Sequence, residues 1–206
     1  MAYSFDRKTD NVDIVYAADV NELQSAVEEL GDAVDTMSNI NSSFMLSAAG
    51  IIPATTSGCS DPVQVETTTN KVNFKYVNFD KDSIEIGWWN HPLPSDYGGG
   101  TITYKVYWAF VGATAYKVAW DLSAVAIGNN DAYDAAVGTE IQVNDEGSAS
   151  SKIYTTDESS ALTIAGSPAA GDMVFWRLRR VANDGTNDTL DVDARFLYVV
   201  ITYTRA

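Results

Sequence analysis

The sequence predicts a mainly β protein: an antiparallel β-sandwich preceded by a short N-terminal coiled-coil helix. Three observations predict it. Apolar residues recur at heptad spacing between residues 20 and 37, the apolar period changes to two after residue 71, and clusters of Gly, Pro, Asn, Asp and Ser punctuate that second region.

Residues 1–18 mix polar and aromatic positions without a clear period, and Tyr3, Phe5, Ile14, Val15 and Tyr16 make them a candidate docking segment. A helix is then predicted over 19–38. Asp19 stands three residues before Glu22, a spacing resembling a capping box, and both acids favour the positive helix end. Behind that cap Val20, Leu23, Val27, Leu30, Val34 and Met37 alternate by three and four residues, an a/d seam with β-branched residues at a and Leu or Met at d. An amphipathic helix lying on its own domain shows similar spacing. The strictness of the repeat and the polar outer positions (Asn21, Glu22, Ser25, Glu28, Glu29, Asp32, Asp35) favour an oligomerisation seam instead. Val at a with Leu at d favours two strands, while the small neighbours Ala26, Gly31 and Ala33 widen the seam and no complementary charges flank it. Each buried seam residue contributes roughly 1.5–3 kcal/mol, against a backbone cost on the order of 1–2 kcal/mol per ordered residue. So short a helix is marginal alone, and the rest of the chain or a larger assembly has to hold the copies together.

Residues 39–70 read as a linker: polar at first, then rich in Gly, Pro, Ser and Thr, with Ile51 and Ile52 as anchoring points. From 71 to 206 the alternation is that of strands. Ile102, Tyr104, Val106, Trp108 and Phe110 form one apolar face, and Tyr116, Val118, Trp120 and Leu122 another. Further strands are predicted near 71–79, 83–89, 139–143, 152–155, 161–164, 172–180 and 190–203, which together read as a jelly-roll-like sandwich. Phe196 to Tyr203 is apolar on both faces, which calls for a central strand covered on both sides. Adjacent Trp88 and Trp89 must point to opposite faces, so one enters the core and the other needs a different partner.

Composition narrows the function. A net charge of −15 over 206 residues repels phosphate backbones and anionic lipid, which argues against nucleic-acid and membrane partners. One cysteine, Cys59, cannot form an internal disulfide, and the first residues lack the apolar stretch of a signal peptide. The one histidine, His91, sits before Pro92 in a turn-rich segment, and no nucleophile motif surrounds it or Cys59. The Asn/Asp clusters 129–134 and 183–188 lack the EF-hand spacing and read as turns. Gly98–Gly100 precedes a strand rather than a helix, so it is no phosphate cradle. No catalytic residue, cofactor or metal is expected.

The stretch Ala49 to Cys59 (AGIIPATTSGC), Asn78-Phe79-Asp80, Leu93-Pro94, Tyr97 to Ile102, Tyr107-Trp108, Val118 to Trp120, Asp188 to Leu190 and Asp193 to Arg195 resemble a recurrent module. That module occurs in virion structural proteins of tailed bacteriophages (head fibres, decorations and tail appendages), and Asp13 to Leu23 is similar to N-terminal segments of phage fibre proteins. The resemblance implies a non-enzymatic virion protein assembled in the host cytoplasm, a homotrimer with a β-rich head, docked to other virion proteins of the capsid or tail. The alternative function is a module of the adsorption apparatus that binds host surface glycan.

Overall fold

The computed structural model describes residues 17–38, 40–112 and 116–206, and on the helix the side chains of residues 20–32. The chain divides into two units, Met1–Ile40 and Asn41–Ala206. In the first, α1 spans Ala17–Ser38, opening two residues before the predicted start. Of the seam, Val20, Leu23, Val27 and Leu30 are 49–67% exposed. The side chains of Val34 and Met37, and the whole docking segment with Tyr3, Phe5, Ile14, Val15 and Tyr16, lie outside the described residues. Among those described, no helix is long and apolar enough to cross a membrane.

The second unit is a sandwich of two antiparallel sheets. Its strands are β1 (Asn41–Ser47), β2 (Ile52–Pro53), β3 (Val63–Glu66), β4 (Asn73–Phe79), β5 (Glu85–Pro92), β6 (Thr103–Ala109), β7 (Tyr116–Ile127), β8 (Ile141–Gly147), β9 (Ile153–Thr155), β10 (Met173–Arg180) and β11 (Ala194–Thr204). One sheet has the order β3-β4-β11-β6-β9, with β1 also paired to β11; the other has the order β2-β5-β10-β7-β8. From β4 onward almost every connection crosses from one sheet to the other. That path closes both sheets over one core in jelly-roll fashion.

The core follows from period-two alternation. Tyr104, Val106 and Trp108 of β6 turn inward, as do Val118, Trp120, Leu122, Ala124 and Ala126 of β7 and Val174, Trp176 and Leu178 of β10. Phe79 meets Trp120 edge to face at 5.1 Å, and Phe196 lies 5.4 Å from Trp89, so aromatic pairs bridge the two sheets. The indole of Trp108 donates to Asp145 Oδ2 at 2.9 Å, and that of Trp176 to the His91 carbonyl at 3.2 Å.

Two expectations need correction. Residues 41–70 are not a linker. β1 pairs with β11 along seven residues, from Asn41↔Thr204 to Ser47↔Tyr198, and its Phe44 stacks on His91 at 4.8 Å. Residues 51–59 pack onto β5, where Ile51 and Cys59 are buried. A Cβ at Gly87 would stand 2.2 Å from Ile51 Cδ1, so any larger residue there would have to displace the Ile51 side chain. The sandwich therefore begins at Asn41 rather than at residue 71. The strand expected at 161–164 is only a pair of bridges, Ile102↔Leu162 and Val125↔Ala165. Leu162 and Ile164 are buried there as an apolar plug without a continuous ladder.

The double-faced apolar run of β11 has a local cause. A bulge between Phe196 and Tyr198 shifts the phase, so Ala194 and Phe196 face the core before it and Val199, Ile201 and Tyr203 after it. β11 is also the central strand, paired with β1, β4 and β6.

Candidate functional site

A sheet in a sandwich has one face in the core and one face outward, and opposed residues of neighbouring strands share a face. Trp89 is core, so Trp88 points outward from the five-stranded sheet. Register then fixes its neighbours: Ile52, Trp88, Arg177 and Ser123 form one row across β2, β5, β10 and β7. The next row is Ile86, Arg179, Asp121 and Gln142 across β5, β10, β7 and β8.

These rows form a connected polar network beside one aromatic plane, in which Ser123 and Asp121 are buried. The Arg177 guanidinium lies over the Trp88 ring, 5.9 Å from its centroid. Its Nε donates to Ser123 Oγ at 3.1 Å, and its Nη2 donates to Glu140 Oε1. Arg179 Nη2 donates to Asp121 Oδ2 at 2.7 Å and lies 3.3 Å from Glu140 Oε1. Glu140 therefore bridges the two arginines. Burial pulls the Arg177 guanidinium below its usual value, with Glu140 acting against that pull. Arg179 Nε is buried and donates to no atom of the described residues. Gln142 is fixed from outside the rows, donating from Nε2 to Asp184 Oδ2 at 3.0 Å. That bond and those from Asn187 hold the Asp184 carboxyl down at about 2.

Rigid strands hold the groups of both rows, while Glu140 directly precedes β8 and Asp184 lies in the turn after β10. The arrangement offers a flat indole, two planar forks, a carboxamide and the Glu140 carboxylate on one face, with the Asp121 carboxylate buried in it. Both carboxylates are engaged by guanidinium groups, a pattern suited to holding polar ligands rather than moving protons.

Of the residues singled out in the sequence, Trp88 stands in this site and Asp184 touches its edge through Gln142, while Cys59, His91 and Asp188 fall elsewhere. Cys59 is buried, and burial, with Glu85 adding, pushes its thiol up to about 12. His91 is stacked on Phe44 within the sandwich. In the 183–188 cluster, Asp188 is fully engaged. It accepts from Arg180 Nε at 3.0 Å and Nη2 at 2.9 Å and from the Ala119 amide at 3.2 Å. Asp184 accepts from the amides of Thr186 and Asn187, as turn residues do. Among the described residues, no group of three or more His, Cys, Asp or Glu is placed to hold a metal ion.

No protein-family model matches the sequence, and no curated protein matches it. Among solved structures, the chain is similar to the CBM22-2 xylan-binding domain from Paenibacillus barcinonensis Xyn10C, at 10% identity and TM-score 0.47, covering 78% of this chain and 99% of that one. It is also similar to the family 11 carbohydrate-binding module from Clostridium thermocellum in complex with a β-1,3-1,4-mixed-linked tetrasaccharide, at 9% identity and TM-score 0.34, covering 81% and 89%. The CBM22-1 and GH10 modules of Clostridium thermocellum xylanase 10B, complexed with xylohexaose, align at 12% identity and TM-score 0.43. The alignment covers 80% of this chain, which spans 28% of that protein's length. At these scores the likeness carries no weight for function.

Proposed function

We propose that the chain is a non-catalytic glycan-recognition module, carried by an oligomerising helix in the adsorption apparatus of a tailed phage. The observation that carries the reading is the outward pair Trp88–Arg177, held in place by the buried Ser123 and by the Glu140 bridge. The C–H bonds of a pyranose face are weakly positive and meet the negative face of an indole. Vicinal hydroxyls match the spacing of planar forks and carboxylates, which accept and donate in pairs. The arginines are already neutralised by Glu140 and Asp121, and the chain carries −15 overall. Polyanionic sugars gain little at such a surface and are repelled by the rest, so the favoured ligand is a neutral polysaccharide.

The test is a glycan array probed with the full chain, followed by titration calorimetry on a neutral hit. Trp88→Ala is expected to weaken binding at least about tenfold, on the order of 1.4 kcal/mol, with the near-UV spectrum of the buried tryptophans retained. Absence of any hit, or affinity that survives Trp88→Ala, would remove the reading.

A second reading, a purely structural virion appendage docked to capsid or tail, draws on the exposed heptad residues Val20, Leu23, Val27 and Leu30. It shares the oligomer with the first and differs in leaving the Trp88 face unused.

A further inference from the structure

The opposite side of the sandwich has a different character. Register across the six-stranded sheet places Met45, Val200 and Lys105 in one outward row, and Ser47, Tyr198, Tyr107 and Thr155 in the next. The row beyond that is Asn78, Arg195, Ala109 and Ile153. On β3 and β4 the outward pairs are Val63↔Tyr76 and Val65↔Phe74. Tyr107 and Tyr198 stack at 4.2 Å, and Arg195 lies over Tyr76 at 4.4 Å. Met45 is 55% exposed, Val72 56% and Ile153 64%. A hollow of about 370 Å³ opens between them, lined by Ser47, Val72, Phe74, Ile153, Leu197 and Tyr198.

Two features of this face go together. It presents large apolar side chains to water, which soluble surfaces seldom do in a contiguous patch. Its paired rows also carry Lys105 and Arg195 and no carboxylate, in a chain with 28 acids. Glu158 reaches only the margin, accepting from Thr103 and lying 3.9 Å from Lys105.

We propose that this face is where β-domains of separate copies of the chain meet, each copy contributing the surface around Met45, Tyr198 and Ile153. Charge selects the occupant. Copies carrying −15 repel one another through most of their surface, and this face is mainly apolar, with Lys105 and Arg195 on it and the carboxylates of Glu158 and Asp193 at its margins. The chain also brings copies together. The helix that carries the exposed Val20, Leu23, Val27 and Leu30 ends at Ser38, and β1, which contributes Met45 to the face, begins three residues later at Asn41. Copies gathered at the seam hold their β1 strands at a high effective concentration, which lets a modest face-to-face affinity act. The Trp88 surface lies on the other sheet and stays available for ligand in every copy.

The inference is independent of the glycan reading and is tested without sugar. Sedimentation equilibrium on the full chain compares the parent with Met45→Glu/Ile153→Glu. Both positions are more than half exposed, so the fold has no need of them. The double variant is expected to raise the dissociation constant of the oligomer at least tenfold with the same monomer melting temperature. As a second readout, Met45→Cys supplies an accessible thiol while the native Cys59 stays buried, and a short bis-maleimide should join copies through it. An unchanged dissociation constant, a monomeric parent at every concentration, or no cross-linked pair would overturn the proposal and leave the face to another occupant.

Discussion

Arg180 shows how much a single side chain decides in this sandwich. It lies in the core phase of β10, after Val174, Trp176 and Leu178, and is wholly buried. All five of its N–H groups are used. Nε and Nη2 grip the Asp188 carboxylate, Nη1 donates to the carbonyls of Phe79 and Val192, and the second Nη2 hydrogen goes to Leu190 at 2.7 Å. One guanidinium thus ties β4, β10 and the 188–192 loop to a single point, in the geometry that a planar fork provides and an ammonium cannot. Replacing it with Met would leave a buried carboxylate and three carbonyls without their donor. The expected loss is roughly 3–5 kcal/mol, read as a lower urea midpoint at unchanged slope. Replacing Asp188 with Leu in the same chain should recover part of that loss, because the unpaired charge goes with it. The residue was visible in advance only as a break in phase. In M-V-F-W-R-L-R-R the alternation puts Arg177 and Arg179 outward but Arg180 inward, and nothing local says which acid will meet it. The outward arginines were equally obscure as a site. Their partners Asp121, Ser123 and Glu140 stand 37–58 positions away in the sequence and are brought together by strand register alone.

Among the elements, β1 is the one that local pattern reading missed, and the reason is physical. Its sequence, NSSFMLS, has too few apolar residues to alternate clearly, and it gains its place by pairing with a strand more than 150 positions away. β11 supplies the pairing edge, and Phe44 and Leu46 fill the core beside Ile201 and Val199. By contrast, β6, β7 and β10 were legible because strict alternation and large aromatics mark a half-buried strand whatever its partner. The two-residue β2 and the segment after it follow β1 in being recognisable only once Gly87 reveals how closely they press on β5. A consequence follows for truncation. A fragment of residues 41–206 should fold cooperatively, while one of residues 71–206 should not. The shorter piece exposes the β11 edge along Tyr198–Thr204 and strips from Trp89 the Ser47 carbonyl to which its indole donates. Thermal unfolding by near-UV circular dichroism separates them. A sharp transition in the 71–206 fragment would mean that β1 is an accessory strand.

At the scale of the whole molecule, the chain joins an apolar helix seam to a sandwich with one polar and one apolar outer face. Val20, Leu23, Val27 and Leu30 are all about half exposed or more, so the described part of the helix's apolar stripe is open to water. Val27 and Leu30 are the central pair. Replacing both with Asp places like charges at the axis of any bundle the seam forms, at a cost of several kcal/mol per buried unpaired charge. Because α1 is marginal by itself, that cost should abolish association through the helix while each sandwich keeps its own core. Two measurements on the full chain distinguish this from a merely destabilised domain. Light scattering should show a fall in mass. Melting should also lose its dependence on protein concentration, since only an associating native state gains stability by mass action. A double variant that keeps the parent mass but melts lower would place the seam against its own chain, and the heptad would then be an ordinary amphipathic stripe. A variant with reduced mass and an unaltered midpoint at low concentration would leave the oligomer as the reason for the repeat, with the apolar sheet face as its second contact.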